Sequence, residues 1–360
     1  SQLEKFNLCR FSYFCNYGLN VRERQRAEIN PMQYGTIVHY ILERFFGEYT
    51  KEEYLSLEED KFQKIVCAYL AEYAVKYFGE EQLESNSFTY RLKTILDNVM
   101  YLMKHIMEEL SQSEFFVADC ELKIGEDIPS YTIVLPDGHK IAVCGSVDRV
   151  DIMQRADITY LRIIDYKTGT KQFKLSDILY GINLQMLLYL HSIEASGGDK
   201  YGEIVPAGIL YMPATVPYIS SDSLKSIDKL PDELNKKLKM NGLLLKDTEI
   251  IHGMDKTDVA TYIPVKIKAG EPVSSTSLAT LAEFGKIFKK VDMLIAEMGK
   301  NIYNGNIEAK PLKGGHDSCE YCPYDSVCAY RQSNPITCFS VDNKAVIEEI
   351  TNEINGKEEE

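Results

Sequence analysis

The sequence predicts an α/β protein in which helices flank a central mixed β-sheet, and three observations support this class. Apolar residues recur every three or four positions through residues 1–110, which predicts helices. From residue 116 to 168 the pattern shifts towards alternation of apolar and polar residues, which predicts a run of strands. A helix, a strand and a further long helix then follow. This order of elements indicates a layered α/β fold.

The individual elements follow from local patterns, taken in chain order. The helical front contains "GTIVHYILERFF" and "TILDNVMYLMKHIMEEL", and the strand region after it contains a hairpin turn at Pro136, Asp137 and Gly138. Ser176 is expected to cap one continuous helix, "SDILYGINLQMLLYLHSIEA", and "EIVPAGILYMPA" is the next predicted strand. The last long helix carries an apolar stripe made of Leu278, Leu281, Phe284, Phe288, Val291 and Ile295.

We expect these elements to form one domain at residues 1–340, with a core at about 30–215. Residues 217–262 are rich in Ser, Lys and Asp and predict an insertion with little core of its own. Residues 346–360 hold six Glu against one Lys. The segment 341–360 is therefore expected to be a solvated or frayed acidic tail.

The bulk composition excludes several classes of protein. With 45% hydrophobic residues the chain can bury a large core, and it has neither a run of about 18 apolar residues nor the basic-then-apolar start of a signal peptide. We therefore expect a cytoplasmic protein, and the lack of an initiator Met suggests a fragment or a processed terminus. A net charge of −14 does not fit a free-standing DNA-binding protein. Any contact with DNA must be local or shared with a partner.

The stretch "LRIIDYKTG" is predicted to be an interior strand that ends at a charged pair. Residues two apart in a strand point the same way, so Asp165 and Lys167 project together. Upstream, "GSVDRVD" places Asp148 and Asp151 at the end of a second apolar strand. Asp148, Asp165 and the Tyr166 carbonyl would suffice to bind a cation such as Mg²⁺, which could activate water and offset charge on a phosphodiester. The alternative is a set of ordinary strand-end ion pairs.

Two pairs of polar residues on predicted helices are further candidates. His39 and Glu43 lie four apart and share a helix face, as a metal ligand and its hydrogen-bond partner would. Gln185 and Tyr189 share a face in "NLQMLLYL", where buried polar groups need partners that a metal site or a phosphate could provide. Taken singly, each could equally be a structural polar residue of the core.

The nine cysteines are an odd number and favour metal ligands or free thiols over a disulfide framework. Cys319, Cys322 and Cys328 form a C-x2-C-x5-C group on a predicted loop at 316–330. Four thiolates would suit either Zn²⁺ or a [4Fe–4S] cluster, and spacing alone does not separate these two. The candidates for a fourth ligand are His316, Cys338, Cys9 and Cys15.

The ordered motifs "GTIVHYILE", "GSVDRVD", "IIDYKTG" and "QMLLY" resemble the nuclease domain of the RecB family within the PD-(D/E)xK superfamily, with D-Y-K as the third motif. The flanking "LEKFNLCRFSYFCNYGL" and the C-x2-C-x5-C group further resemble the C-terminal domain of the AddB family, a subunit of bacterial AddAB helicase–nucleases. The resemblance covers nearly the whole chain, from Ser1 to about Cys328. It implies a restriction-endonuclease-like core.

The resemblance also implies roles for the candidate residues. Lys167 would position or activate the attacking water, and Gln185 with Tyr189 would support the site. The implied ligands of Mg²⁺ or Mn²⁺ are His39, Asp148, Asp165 and the Tyr166 carbonyl. The implied ligands of a [4Fe–4S] cluster are Cys9, Cys319, Cys322 and Cys328. Cys9 stands in "CRF", where the family has C-P-F, and Cys15 would not be a ligand. Such a cluster would join the N- and C-terminal ends of the domain.

The implied function is metal-dependent exonuclease cleavage of single-stranded DNA as an unwinding motor feeds it, on the 5′-terminated strand, during double-strand break repair by recombination. An AddA-like helicase–nuclease subunit is the implied heterodimer partner. No G-x-x-x-x-G-K-[ST] motif occurs in the 360 residues, so P-loop ATP hydrolysis is not expected of this chain. Two alternatives remain, a Cas4-like exonuclease and a non-catalytic DNA-binding or docking module that keeps the fold and the cluster.

Overall fold

A computed structural model describes residues 2–22, 31–169, 172–217, 230–274, 276–328, 330 and 335–358. The helices are α1 Gln2–Leu8, α2 Arg10–Tyr13, α3 Pro31–Glu48, α4 Lys51–Leu55, α5 Glu59–Phe78, α6 Glu80–Leu83, α7 Asn86–Ser111, α8 Gln185–Ser196, α9 Gly198–Tyr201, α10 Leu230–Leu238, α11 Thr248–Met254, α12 Leu281–Tyr303 and α13 Asn343–Glu358. The strands are β1 Phe116–Ile124, β2 Tyr131–Val134, β3 Lys140–Val143, β4 Gly145–Arg155, β5 Ile158–Lys167, β6 Glu203–Pro213, β7 Asn241–Leu245, β8 Lys266–Lys268, β9 Glu271–Val273, β10 Leu278–Ala279, β11 Leu312–Gly314 and β12 Ile336–Cys338. A π-helical turn at Phe14–Gly18 and 3₁₀ turns at Leu175–Tyr180 and Asp325–Val327 complete them.

The central sheet has six strands in the order β1-β4-β5-β6-β7-β10. The β1/β4, β4/β5 and β6/β7 pairs are antiparallel, whereas β5/β6 and β7/β10 are parallel. β5 lies in the interior of this sheet, and seven of its ten residues are buried. Burial on both faces explains why its sequence is a continuous apolar run instead of an alternating one. The mixed sheet confirms the predicted α/β class.

Helices cover this sheet along its length. α3 packs against β1 and α5, and α5 packs against α7, so the predicted helical front of the chain is confirmed. α8 lies on β6 and packs against α12. None of the helices in the described ranges combines the length and the apolar character needed to cross a bilayer.

The helix predicted from Ser176 to Ala195 is two elements. A 3₁₀ turn ends at Tyr180, and α8 begins at Gln185. Between them Gly181 has a φ of +66° and Asn183 a φ of +55°, which is left-handed backbone that a continuous α-helix cannot contain. The break places Gln185 in the first turn of α8.

The expectation that residues 217–262 are an insertion with little core of its own is wrong for the part that the structure describes; residues 218–229 lie outside the described residues. β7 pairs with β6 and β10 inside the central sheet. Its residues Leu243 and Leu244 are fully buried, as is Ile251 of α11. The polar composition of the segment hid two short apolar runs, "GLLL" and "EIIHGM", that complete the core.

The expected acidic tail at 341–360 is also wrong over its described part, because residues 343–358 form α13, which packs against α12. Val346, Ile350 and Ile354 repeat at four-residue spacing and are buried. The Lys290 ammonium of α12, itself buried, lies 2.5 Å from the Glu353 carboxylate. The acidic residues occupy the outer face of an amphipathic helix.

The apolar stripe predicted for the last long helix is confirmed for its central residues and wrong for its first two. Phe284, Phe288 and Val291 are buried on α12. Leu278 precedes the helix and pairs with β7 as part of β10, while Leu281, the first residue of α12, is 50% exposed. The helix begins where Thr280 and Glu283 form a capping box.

Candidate active site

Three neighbouring strands each bring one carboxylate to the same place on the sheet. The register of β1 against β4 places Glu121 level with Asp148, and the register of β4 against β5 places Asp165 level with Asp148. The sequence pattern predicts Asp148 at the end of a strand. The structure instead places it fourth in β4, near the start of that strand. It meets the end of β5 because antiparallel pairing sets the start of one strand beside the end of the other.

His39 on α3 reaches this row of acids from the adjoining helix. Its Nδ1 atom lies 2.8 Å from Oε1 of Glu121, and its Nε2 atom lies 3.6 Å from Oδ2 of Asp148. Ser146 donates a hydrogen bond of 2.9 Å to the second oxygen of Glu121. The sequence pattern predicts Glu43 as the partner of His39. Glu43 lines a cavity together with His39, but the carboxylate that is hydrogen-bonded to His39 belongs to Glu121.

The electrostatics of these groups favour a cation. Burial raises the pKa of Asp148 to about 7, and the negative charge of Asp165 adds to that shift. Burial acts to lower the pKa of His39, but the hydrogen bond with Glu121 and the charge of Asp148 outweigh it, and the pKa is raised. The ligand atoms of His39, Glu121 and Asp148 all lie within 4.8 Å of one another. An imidazole nitrogen with several carboxylate oxygens fits a divalent ion such as Mg²⁺ or Mn²⁺.

Lys167 and the backbone of Tyr166 complete this end of β5. The Lys167 ammonium lies 2.5 Å from Oδ2 of Asp165 and 5.8 Å from the centroid of the Tyr211 ring. The Tyr166 N–H donates a hydrogen bond of 3.0 Å to Oδ2 of Asp148. The Tyr166 side chain is buried, and its ring lies edge-on to the ring of His39 with 5.8 Å between the centroids.

Tyr189 of α8 lies near Asp148 and Asp165, and Gln185 is hydrogen-bonded to it. The Gln185 side chain donates to the Tyr189 hydroxyl at 3.4 Å, and its backbone N–H donates to a carboxylate oxygen of Glu4 at 3.1 Å. Burial raises the pKa of Tyr189, with a further contribution from the charge of Asp148. A Cβ atom at Gly145 would lie 2.2 Å from the Tyr189 hydroxyl. The glycine that begins β4 therefore makes the room in which Tyr189 approaches the acids.

The loop at 316–330 contacts the N-terminal segment, which brings the two ends of the chain together; residue 329 lies outside the described residues. The Tyr324 hydroxyl donates a hydrogen bond of 2.7 Å to the Val21 carbonyl. Of the four candidates for a further thiolate-site ligand, His316 lies with its Nε2 atom 3.4 Å from a carboxylate oxygen of Asp177. Cys338 is buried in β12, whose backbone pairs with β11 at Gly314.

Cysteines of the two ends lie close enough to interact electrostatically. Burial raises the pKa of Cys9, and the charges of Cys328 and Cys322 raise it further. The pKa of Cys15 is raised in the same way, by burial and by the charges of Cys322 and Cys328. Cys319 and Cys322 lie at the two ends of a turn, in which the Cys322 N–H donates a hydrogen bond of 3.2 Å to the Cys319 carbonyl. Among the described residues, the cysteines do not form a group with all ligand atoms within 4.8 Å of one another, as His39, Glu121 and Asp148 do. Cys9 and Cys15 both lie close enough to the loop to interact with Cys322 and Cys328.

The class of this fold and site is decided by comparison with known families. The sequence profile of the PD-(D/E)XK nuclease superfamily matches residues 1–329. The chain belongs to the PD-(D/E)XK nuclease superfamily. The match confirms the resemblance seen in the ordered motifs and the predicted nuclease core.

Relatives of this nuclease domain are named as the B subunit of an ATP-dependent helicase/deoxyribonuclease. The chain is 35% identical to the protein of that name from Thermoanaerobacter sp. (strain X514) over 342 positions, which is 92% of the chain and 29% of the relative. It is 33% identical to the one from Alkaliphilus oremlandii over 98% of the chain and 32% of the relative. It is 34% identical to the one from Clostridium kluyveri over 100% of the chain and 32% of the relative. The chain thus spans about a third of the length of these curated relatives.

Asp151 belongs to a separate feature of the nuclease, a buried ion cluster. Asp148 and Asp151 are an odd number of residues apart, so their side chains point to opposite faces of β4. Asp151 accepts two hydrogen bonds of 2.6 Å from Arg149 and one of 3.0 Å from Arg162, and Glu109 bridges both guanidinium groups. All four side chains are fully buried. Asp151 therefore holds the sheet together on the face opposite the candidate metal site.

Glu121 is a residue of the candidate metal site that the sequence analysis did not identify. It lies in "ADCELKIG", which also holds Asp119 and Lys123, so the local sequence does not distinguish it from the other charged residues of the strand. Its φ is +52°, a left-handed value that is unusual for a residue with a side chain. Neither its register with β4 nor its contact with α3 is encoded in the local pattern.

Proposed function

We propose that this chain is the nuclease domain of an AddB-type helicase–nuclease subunit and that it hydrolyses phosphodiester bonds of single-stranded DNA with Mg²⁺ or Mn²⁺. The observation that carries the proposal is the convergence of His39, three carboxylates and Lys167 in one cavity of about 670 Å³ or at its edge. Family membership supports the reaction class, and the names of the relatives support DNA as the substrate.

In this proposal His39 binds the cation through Nε2, because its Nδ1 atom is held by Glu121. Ligating histidines commonly bond a carboxylate through their second nitrogen, which fixes the ring and its tautomer. Asp148, Asp165 and the Tyr166 carbonyl supply the oxygen ligands. A bound cation would lower the pKa of a water molecule and offset charge on the phosphate.

Lys167 acts on the attacking water and on the phosphate in this proposal. Its ammonium, held by Asp165 at 2.5 Å, orients the attacking water and stabilises negative charge that develops on the phosphate. Gln185 and Tyr189 support the site from α8, where the Tyr189 hydroxyl lies in the space left by Gly145.

The test is cleavage of single-stranded DNA with Mg²⁺ or Mn²⁺ by the parent protein, Asp165→Ala and Asp157→Ala. Asp157 is a matched control because it is an exposed acid in the turn at the far end of the β4–β5 hairpin. We expect Asp165→Ala to lower the rate at least about 100-fold and Asp157→Ala to retain it. Equal activity of parent and Asp165→Ala would contradict the site, and a folded parent that binds DNA without cutting it would indicate a docking module.

We also propose that Cys9, Cys319, Cys322 and Cys328 bind a [4Fe–4S] cluster that joins the ends of the domain. The contact of loop 316–330 with the N-terminal segment supports this proposal. Cys15 is the matched control, because it lies in the same segment. Iron analysis should show loss of iron from Cys9→Ser and its retention in Cys15→Ser, and the reverse result would exchange the two assignments.

The cellular role extends the same proposal. The relatives are named as one subunit of an ATP-dependent enzyme, whereas this chain has no G-x-x-x-x-G-K-[ST] motif. We therefore propose that a helicase–nuclease partner of the AddA type supplies unwound DNA, and that the domain works cytoplasmically in double-strand break repair on the 5′-terminated strand. Strands labelled at one end or the other, unwound and cut by the assembled heterodimer, would report the polarity.

A further inference from the structure

The cavity of the candidate metal site extends along α3 and α5 to a group of tyrosines. Tyr40, Tyr73 and Tyr77 line this end, while His39 and Lys167 line the other. Its volume of about 670 Å³ lies in the range of sites that hold small molecules. A group bound at the tyrosines would be continuous with one bound at the metal site.

The three rings form a supported row. The centroids of Tyr73 and Tyr77 are 4.4 Å apart with 34° between the ring planes, and those of Tyr40 and Tyr73 are 5.2 Å apart at 60°. Tyr73 is buried, whereas Tyr77 is 55% exposed. Tyr73 therefore serves as the base of the row, and Tyr77 presents its ring to the cavity and the solvent.

Polar contacts fix the row, and an ammonium group lies beside it. The Tyr40 hydroxyl donates a hydrogen bond of 2.7 Å to Glu72. The ammonium of Lys76, an exposed residue of α5, lies 5.1 Å from the centroid of Tyr77 and 6.0 Å from that of Tyr40. Single exposed tyrosines are common on protein surfaces. An ordered row of three rings beside a cation, in the cavity of the catalytic groups, is what distinguishes this surface.

We propose that Tyr77, supported by Tyr73, stacks on an unpaired base of the DNA strand whose phosphate lies at the metal site, and that Lys76 contacts the adjoining backbone. This inference rests on the proposed function and names where the neighbouring nucleotide is held. Aromatic stacking beside a basic side chain is how proteins bind single strands without reading their sequence. A base within a duplex has both faces covered by its neighbours, so the row selects unpaired strands.

The test compares binding of a short oligothymidine by Asp165→Ala, which is expected to cleave it at least about 100-fold more slowly than the parent, with and without a second change. Tyr77→Leu keeps apolar contact with Tyr73 but removes the ring, and Tyr77→Phe keeps the ring. Tyr90→Leu is the matched control, because Tyr90 is 73% exposed on α7 and is not among the residues that line the cavity. Fluorescence anisotropy should show about 5- to 100-fold weaker binding for Tyr77→Leu, as loss of one stacked base predicts, and parent-like binding for Tyr77→Phe and Tyr90→Leu.

A strand with abasic sites separates stacking from other contacts. The Asp165→Ala protein should bind this strand more weakly than oligothymidine, and Tyr77→Leu should cause no further loss. Parent-like binding of oligothymidine by Tyr77→Leu, or an equal loss on the abasic strand, would overturn the inference. Either result leaves the proposed function intact if the parent protein cleaves DNA, whereas absence of cleavage by a folded, metal-loaded parent fails the proposed function itself.

Discussion

Asp148 and Asp151 lie three residues apart in β4, and their replacement by Asn should change the stability of the metal-free protein in opposite directions. Asp151 is fully buried in the ion cluster with Arg149, Arg162 and Glu109. Its neutralisation leaves two guanidinium groups against one carboxylate in the protein interior. Removing one partner from a buried ion pair costs about 3–5 kcal/mol, because the remaining charge stays buried and uncompensated.

Asp148→Asn should instead raise the stability of the metal-free protein. Burial and the charge of Asp165 raise the pKa of Asp148 from 3.8 to about 7. A carboxyl group with a higher pKa in the folded state stabilises the fold while protonated, and this stability is lost as the pH rises from about 4 to 7. The pKa difference of about 3 corresponds to at most about 4 kcal/mol at pH 8. Asn is neutral at every pH and can still accept the Tyr166 N–H, so the variant should be more stable than the parent above pH 7.

Thermal melting in EDTA at pH 8 measures both effects. Asp151→Asn should melt at least about 5 °C below the parent, and Asp148→Asn should melt above it. At pH 5 the advantage of Asp148→Asn should shrink, since the parent carboxyl is then protonated. A melting temperature of Asp148→Asn as low as that of Asp151→Asn would refute the assignment of the two acids to opposite faces.

Three further predictions concern the metal, a close contact and α13. Apparent Mg²⁺ affinity by calorimetry should fall about tenfold per pH unit below pH 7, because a proton competes for Asp148; a flat profile would contradict this competition. Gly145→Ala should lower cleavage severely, because a Cβ atom there lies 2.2 Å from the Tyr189 hydroxyl. Gly47→Ala is the control: a Cβ atom there meets no atom within 4 Å, and the change should raise the stability of the helix by about 0.5–1 kcal/mol. Equal cleavage rates of the two variants would argue against the contact at Gly145. Ile350→Ala should cost about 2–5 kcal/mol in denaturant unfolding because this residue is fully buried, and a change below about 0.5 kcal/mol would mean that α13 does not pack on the core.

Much of the fold and most of the site could be predicted from the sequence because their signals are local. Alternation along "IIDYK" sets Asp165 and Lys167 on one face, and helical spacing sets His39 on the inner side of α3. The structure brings these residues together with Asp148, as the ordered motifs indicated. Composition misled where it averaged over a segment, since the acidic residues of 346–360 masked the buried stripe that ends at Ile354.

The sequence by itself determined the α/β class, the family and the side chains able to bind a cation, because periodicity and motif order are properties of neighbouring residues. Tertiary structure alone decided that Glu121, not Glu43, holds His39. It also decided that Asp151 belongs to a buried ion cluster and that Tyr77 lines the cavity of the candidate metal site. Each of these depends on strand register or on helix docking, which are set by contacts between residues far apart in the chain and therefore leave no local pattern.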